Sequence, residues 1–406
     1  MNRNEWVDHR DLIQAMDLAH QEEHSPGMVF WHPMGHRVWR RLEHFVRHLH
    51  AEEGYEEVRS PQLLSRSLWE QSGHWAKYQD LMYVDREGDM AIKPMSCPAH
   101  LAMYAQVPRS YRELPYRLFE FGAVHRREKS GALSGWLRLR GFVQDDSHIV
   151  LARSQLKEGI AGFVRMVEKA YRVLGFSDWS YRLALRPEQS AGNDEDWASA
   201  ESALRSAVHA LGLEAEEAPG EGAFYGPKLE VVLRDRLGRA WQCGVIQVDF
   251  VLPKPEHFDL GFQNAAGERE RPVLLHHAVL GSMERFLAIL LEHHEGLPDG
   301  LHPVPVALCP VSEAQAAAAE RLAQQLREEG VPVEVHHEGP LSGRLRHLAQ
   351  RRIPWWGVVG PQEEAAHQVM VRRRGEQAGR LWDQSAWVAQ WAAQWCKAAP
   401  VLRWVG

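Results

Sequence analysis

The sequence contains no C-x-x-C pair, no glycine-rich nucleotide loop and no apolar run approaching a membrane span. Each absence narrows the field. The four cysteines, Cys97, Cys243, Cys309 and Cys396, are too few and too scattered for a disulfide framework, and a reducing cytoplasm suits them. Neither G-x-x-x-x-G-K-[ST] nor G-x-G-x-x-G occurs, which removes support for the usual parallel-sheet nucleotide folds. The opening stretch MNRNEWVDHRD is polar and lacks the apolar segment of a secretory signal. A formal net charge of −7 gives no global pull toward nucleic acid, so any such contact needs a local basic patch. What remains is a globular composition, 45% hydrophobic and 25% charged, in 406 residues, enough for two or three domains.

Helical periodicity over residues 4–24 puts Leu12, Ala15, Met16, Leu18 and Ala19 on one face, and Ser25-Pro26-Gly27 ends the segment. HPMGHRVWRRLEHFVRHLHAEEGY predicts a long amphipathic helix stopped at Gly54. A strand, EEVRSPQLL, follows and ends near Pro61. Strand-like stretches then dominate to about residue 280, broken by helices at SQLKEGIAGFVRMVEKAYRVLG and DWASAESALRSAVHALG and closed by the helix SMERFLAILLEHHEG. This is an α+β layout over residues 1–299, a large antiparallel sheet with flanking helices. Three prolines and two glycines in GLPDGLHPVPV mark a boundary. Strands and helices alternate beyond it, so residues 300–406 read as a small α/β domain. Its last helix carries Trp387, Trp391 and Trp395 at i,i+4 spacing, a packed face rather than a ligand stack.

Three stretches hold chemistry-bearing side chains. KPMSCPAH sets Cys97 between two prolines with no partner at finger spacing, and standing alone it reads as a buried structural thiol. VHRREKSGALSGWLRLRGFVQDDSHIV reads as two strands joined by a Gly/Ser loop. Arg126, Arg138 and Arg140 alternate along its arms, and Glu128 shares the face of Arg126. Guanidinium forks suit phosphate oxygens, although a solvated charged hairpin gives the same pattern. In LHHAVLGSMERF a strand passes through Gly281-Ser282 into a helix with Arg285 in its first turn, where backbone N–H groups and a guanidinium can share an anion.

The helix–strand segment ending at Pro61, the strand–loop–strand around FEFGAVHRRE and the strand–helix GSMERF together resemble the three signature motifs of class II aminoacyl-tRNA synthetases. FWHPMG, SGHWAKY, IKPMSCPAH, GFVQDDSH, FYGPKLE, WQCGVIQVDF and LGSMERF, in that order, are similar to threonyl-tRNA synthetases, from about residue 8 to residue 400. The resemblance implies a class II antiparallel catalytic domain followed by an anticodon-binding-type domain. It implies ATP-dependent conversion of threonine to threonyl-adenylate and transfer to tRNA-Thr by a cytoplasmic homodimer with no membrane partner.

The resemblance further implies Zn2+ on Cys97, His148 and His276, with one position left for the amino acid. Arg126 would hold the α-phosphate and the substrate carboxylate, Arg285 the γ-phosphate, and Glu128 the adenine amino group, with Arg138 assisting at the phosphates. Gln144, Asp146, Tyr225 and Gln247 would line the amino-acid pocket. Lys228 and His74 would sit near the reacting carboxylate and the terminal ribose. The charge that builds as a carboxylate attacks the α-phosphorus would be met by the two arginines and Mg2+, with no protein nucleophile.

Several positions depart from that family. Full-length bacterial relatives carry an editing region ahead of the core that is missing here, so seryl-tRNA is not expected to be cleared in cis. HFVRH, His44 to His48, mimics the editing H-x-x-x-H spacing but falls inside the predicted long helix. Ser134 stands where His is usual, Trp136 at a Leu-like position, and His277 where Arg is common. In EVHHEGPLSGRLRHLAQRR, His337 and His347 stand at or near the anticodon-reading places, while Arg351 and Arg352 remain. Trp355 or Trp356 could stack on bases if exposed, although both suit buried strand positions. The differences leave two alternatives. One is a paralogue activating threonine or a related hydroxy amino acid for a different acceptor or unusual tRNA. The other is a non-catalytic regulatory module, against which the retained zinc and phosphate residues argue.

A site that engages the hydroxyl should reject valine by roughly 10⁴–10⁵, whereas serine, lacking one methyl, is disfavoured only about 10–200-fold. Amino-acid-dependent ATP–pyrophosphate exchange measures both ratios, and equal exchange with valine and threonine would refute a hydroxyl-reading site.

Overall fold

A computed structural model of the chain describes residues 7–398. They fall into two compact units, one made of residues 7–21, 29–48 and 290–398, the other of residues 22–28 and 49–289.

The second unit is built on an eight-stranded sheet in the order Ala215–Ala218, Trp179–Ala184, Lys228–Arg234, Ala240–Asp249, Val273–Ala278, Gly141–Leu151, Tyr116–His125, Glu56–Glu57. The interior pairings are antiparallel, and parallel pairing is confined to the two edge strands. The α+β reading therefore holds. Side chains alternate between faces, so in GFVQDDSHIVL the residues Gln144, Asp146 and His148 share one face and Asp145 and Ser147 the other. The helix Leu156–Val173 covers the second face, burying Ile160, Phe163 and Val167. That leaves the first face for chemistry.

The sheet register sets what meets on that face. His148 lies opposite His276, His276 opposite Gln247, and Gln247 opposite Lys228, so four residues from four strands form one transverse row. In this sheet the strand EEVRSPQLL is reduced to Glu56–Glu57, and its last two residues belong to the strand Leu63–Ser65 of a separate three-stranded sheet. Between the two, Ser60 gives its backbone N–H and its hydroxyl to the Glu120 carboxylate, at 2.8 and 2.7 Å, instead of extending the ladder.

In the other unit the strands Val333–Val335, Val306–Pro310 and Trp355–Val359 pair in parallel, and Gln368–Arg373 and Arg380–Asp383 add antiparallel. Trp387 and Trp391 are buried in its core, in agreement with a packed helix face, while the Trp395 side chain lies outside the described residues. Trp356 is buried, whereas Trp355 is half-buried, donates to Asp299 at 3.0 Å and carries the Arg373 guanidinium over its ring.

The N-terminal expectation needs correction. The helix covers only His9–Ala15 of the expected 4–24, and residues 4–6 lie outside the described residues. Asp17 adopts a left-handed φ of 53°, which breaks the helix and lets Ala19–His20 pair with Phe30–Trp31. Leu12, Met16, Leu18 and Ala19 are still buried, but Ala15 is exposed. The long helix forms as expected, Pro33–Glu52, contains His44 and His48, and is followed by Gly54 at φ 76°. No described helix is long and apolar enough to cross a membrane.

Gly226 lies so close to the strand Ala240–Asp249 that an added Cβ would stand 2.0 Å from the Val248 carbonyl oxygen. Gly226→Ala should therefore cost at least about 1–3 kcal/mol of overpacking in urea unfolding. An unchanged midpoint would show slack in the turn that carries Tyr225.

Candidate active site

Directly opposed residues of antiparallel strands present their side chains on the same face. His148 and His276 meet in this way, with Nε2 of the first 3.0 Å from Nδ1 of the second. Cys97 joins them from the start of the helix Cys97–Tyr104, where Pro98 fits the first turn because no helical N–H is needed there. One donor atom from each of the three residues lies within 4.8 Å of the other two, and all three are buried. Tetrahedral zinc with sulfur and nitrogen ligands would hold such atoms roughly 3.3–3.6 Å apart, so small side-chain adjustments suffice. Burial and the neighbouring Asp146 carboxylate push the Cys97 thiol well up, and burial pushes His148 well down. Without a cation both groups are held neutral, whereas a bound divalent metal would stabilise the thiolate. The donor chemistry, one thiolate and two imidazoles, fits zinc.

The surroundings complete a pocket. Asp249 Oδ2 lies 2.9 Å from His276 Nε2, and its other oxygen accepts the N–H groups of Val251 and Leu252 at 2.7 and 3.0 Å. Asp146 accepts the Ser96 N–H at 3.0 Å. Tyr225 donates to Gln247 at 2.5 Å, and its ring centroid is 4.7 Å from that of His276. His74 is fully buried beside Phe224 and Tyr225. Its Nδ1 contacts Ser72 Oγ at 2.8 Å, its Nε2 has no hydrogen-bond partner, and burial lowers its pKa to about 3, so the ring is neutral. Lys228 closes the row, with its ammonium held by Glu230 at 2.8 Å.

Beside the row, Arg126, Glu128, Arg138, Gln144 and Arg285 line a cavity of about 450 Å³, within the size range of small-molecule sites. The arginines do not reach it by strand alternation. The ladder ends at His125 and resumes at Gly141, and residues between form a loop with tight turns at Ser130–Ala132 and Gly135–Leu137. Arg126 sits just past the strand end, donates to the Pro94 carbonyl at 3.2 Å and covers the Phe142 ring. Arg138 donates to Glu128 at 2.9 Å. Arg140, expected on the same face, instead clamps the loop through the Glu128 carbonyl and Ser130 hydroxyl, at 2.9 and 3.0 Å.

Arg285 lies in the first turn of the helix Met283–His294, and its buried Nε has no protein partner. Two acids that sequence reading missed hold that turn. Asp145 accepts the N–H groups of Val279, Leu280 and Gly281 at 2.8, 2.9 and 2.8 Å. Glu284 accepts the Val143 N–H at 3.1 Å and the Ser282 hydroxyl at 3.1 Å. Gly281 is left-handed at φ 80°, which suits glycine at this corner. The parity of QDDSH assigns Asp145 to the back face, but only the fold shows what it meets there. His277 also faces the back, where it contacts Tyr55 Oη at 2.6 Å, so its departure from the family pattern does not alter the front face.

Residues 80–294 match the family model of the tRNA synthetase class II core domain (G, H, P, S and T), and residues 305–383 match that of the anticodon binding domain. The threonine–tRNA ligase of Cupriavidus necator is 47% identical over 373 residues, covering 91% of this chain and 58% of its own length. That of Thiobacillus denitrificans is 46% identical over 376 residues with the same coverage. The chain thus spans 58% of the length of these curated relatives. The crystal structure of the RNA binding domain of threonyl-tRNA synthetase from Cryptosporidium parvum matches with a TM-score of 0.89 at 34% identity, covering 95% of this chain and 98% of that one. By sequence, fold and the arrangement of its motifs, the chain belongs to the class II aminoacyl-tRNA synthetases, among the threonyl-tRNA synthetases.

Proposed function

We propose that this chain carries the activation and tRNA-binding parts of a threonine–tRNA ligase, forming threonyl-adenylate from threonine and ATP and passing threonine to tRNA-Thr. The observation that carries the reading is the row His148, His276 and Gln247 with Cys97 above it, next to an arginine-lined cavity. We divide the chain at residues 299 and 300 into a catalytic domain and an anticodon-binding domain, and expect a cytoplasmic homodimer joined through the segment ending at Pro61. The free thiols of Cys97, Cys243 and Cys309 suit a reducing compartment.

A zinc ion held by Cys97, His148 and His276 would supply a Lewis-acid position for the amino group and hydroxyl of threonine. The protein side chains supply selection and orientation. Asp146, fixed by the Ser96 N–H, can accept the substrate hydroxyl, which a methyl cannot satisfy. Tyr225 and Gln247 hold each other against the pocket wall. The free Nε2 of neutral His74 is suited to a ribose hydroxyl. Arg126 and Arg285 would share the phosphates with Mg2+ and oppose the charge that develops at the α-phosphorus. Glu128, with Arg138 on its carboxylate, would face adenine, and Gln144 lies between the cavity and the row. Lys228 would act at the reacting carboxylate only after leaving Glu230.

One observation favours a second reading, in which the adenylate goes to a different acceptor. Arg351 is committed to Glu334 by two contacts of 2.6 and 3.2 Å, and His336 also contacts that carboxylate at 3.0 Å. This anticodon-side arginine is therefore engaged within its own domain. Threonine-dependent pyrophosphate exchange without charging of tRNA-Thr would select this reading.

Arg126→Ala and Arg285→Ala should each lower threonine-dependent exchange by about 10²–10³. Cys97→Ser should abolish that exchange while leaving the circular dichroism spectrum near that of the unmodified chain. Full exchange by Cys97→Ser would overturn the proposed site.

A further inference from the structure

All eight residues of KPMSCPAH are buried, and His100 among them has been given no role. His100 follows Cys97 by one helical turn and is 1% exposed, facing the same sheet surface. Its Nδ1 lies 2.8 Å from His148 Nδ1. Its Nε2 has no hydrogen-bond partner and lies 3.6 Å from Glu120 Oε1, a distance for electrostatic attraction rather than a hydrogen bond. Glu120, 2% exposed, sits directly opposite Asp146 in the sheet, two positions along from the residue opposite His148. The carboxylate is fixed from three sides by the Ser60 N–H, the Ser60 hydroxyl and the ammonium of fully buried Lys93.

We infer that His100 and Glu120 are positioning residues for the metal, setting the orientation and tautomer of His148; the inference rests on the zinc reading above. Glu120 attracts the ring proton of His100 to Nε2. The lone pair then resides on His100 Nδ1, which accepts a hydrogen bond from His148 Nδ1–H. The His148 lone pair is thereby on Nε2. Asp249 does the same from the other side, taking the Nε2–H of His276 and leaving its lone pair on Nδ1. The two free lone pairs face each other at 3.0 Å. Two acceptors at that distance repel unless a cation lies against both. Two buried carboxylates, one acting directly and one through an intervening imidazole, thus prepare both histidines for a metal before it arrives. A carboxylate that orients and polarises a ligating histidine is a general device, and here the connection to His148 runs through His100.

The test is zinc affinity of the purified chain, read by competition with a chromophoric chelator, together with the visible spectrum of the Co2+-loaded chain. His100→Leu removes the acceptor and should weaken zinc about 10–100-fold and shift the cobalt ligand-field bands. His100→Asn keeps an acceptor near the position of Nδ1 and should recover most of both. Glu120→Asp keeps the charge beside Lys93 but withdraws it from His100, and should weaken zinc several-fold. It carries the test if His100→Leu does not fold. Equal zinc affinity in the unmodified chain and in the folded variants overturns this inference alone. No zinc uptake by the unmodified chain overturns the metal reading and this inference with it.

Discussion

The site depends on hydrogen-bond register. His148, His276, Gln247 and Lys228 come from four strands and meet only because each stands opposite the next. A slip of one residue on the strand Gly141–Leu151 would put Ser147 or Ile149 in the row and turn the imidazole of His148 to the far face. Asp145 helps prevent that slip. Its carboxylate binds three successive N–H groups in the turn that follows Val273–Ala278. The pair of strands carrying the two histidines is therefore pinned at one end by a side chain from the opposite face. Register also explains why residues far apart in the chain can make one site without any local motif. The sheet, rather than a loop, supplies the geometry.

Buried carboxylates organise the rest. Asp145 and Glu284 hold the turn that presents Arg285, Asp249 orients His276, and Glu120 faces the histidine that contacts His148. Leaving a buried carboxylate without donors is costly, and each of these has donors that also define a backbone position. The cavity residues are held differently. Arg126 and Arg138 lie on a loop and make few protein contacts, which leaves donors available to a phosphorylated ligand. A firmly held pocket around the row beside a more adaptable arginine-lined cleft follows from this division.

Much of this was legible in the residues alone. The long helix before Gly54 and the antiparallel body of the sheet follow from periodicity, whereas the three metal candidates came only through the family resemblance. The N-terminal helix did not, because hydrophobic spacing continues through Asp17 although the backbone turns left-handed there. Arginine alternation failed because residues 126–140 are a loop with tight turns, so period-two reasoning had no strand to act on. His100 lay inside the quoted motif yet was passed over, since a sequence shows which face a residue takes but not which side chain waits there. Lys228 has the same lesson: the motif marks its position, and only the fold shows that it closes the row with its ammonium held by Glu230.

The central claim is that Cys97, His148 and His276 form one three-ligand metal centre. X-ray absorption at the zinc edge on the purified chain tests it most directly. The account predicts one sulfur near 2.3 Å and two imidazole nitrogens near 2.0–2.1 Å, roughly, with the remaining position filled by a light atom. Bound zinc with several sulfur ligands, or with oxygen ligands only, would contradict it.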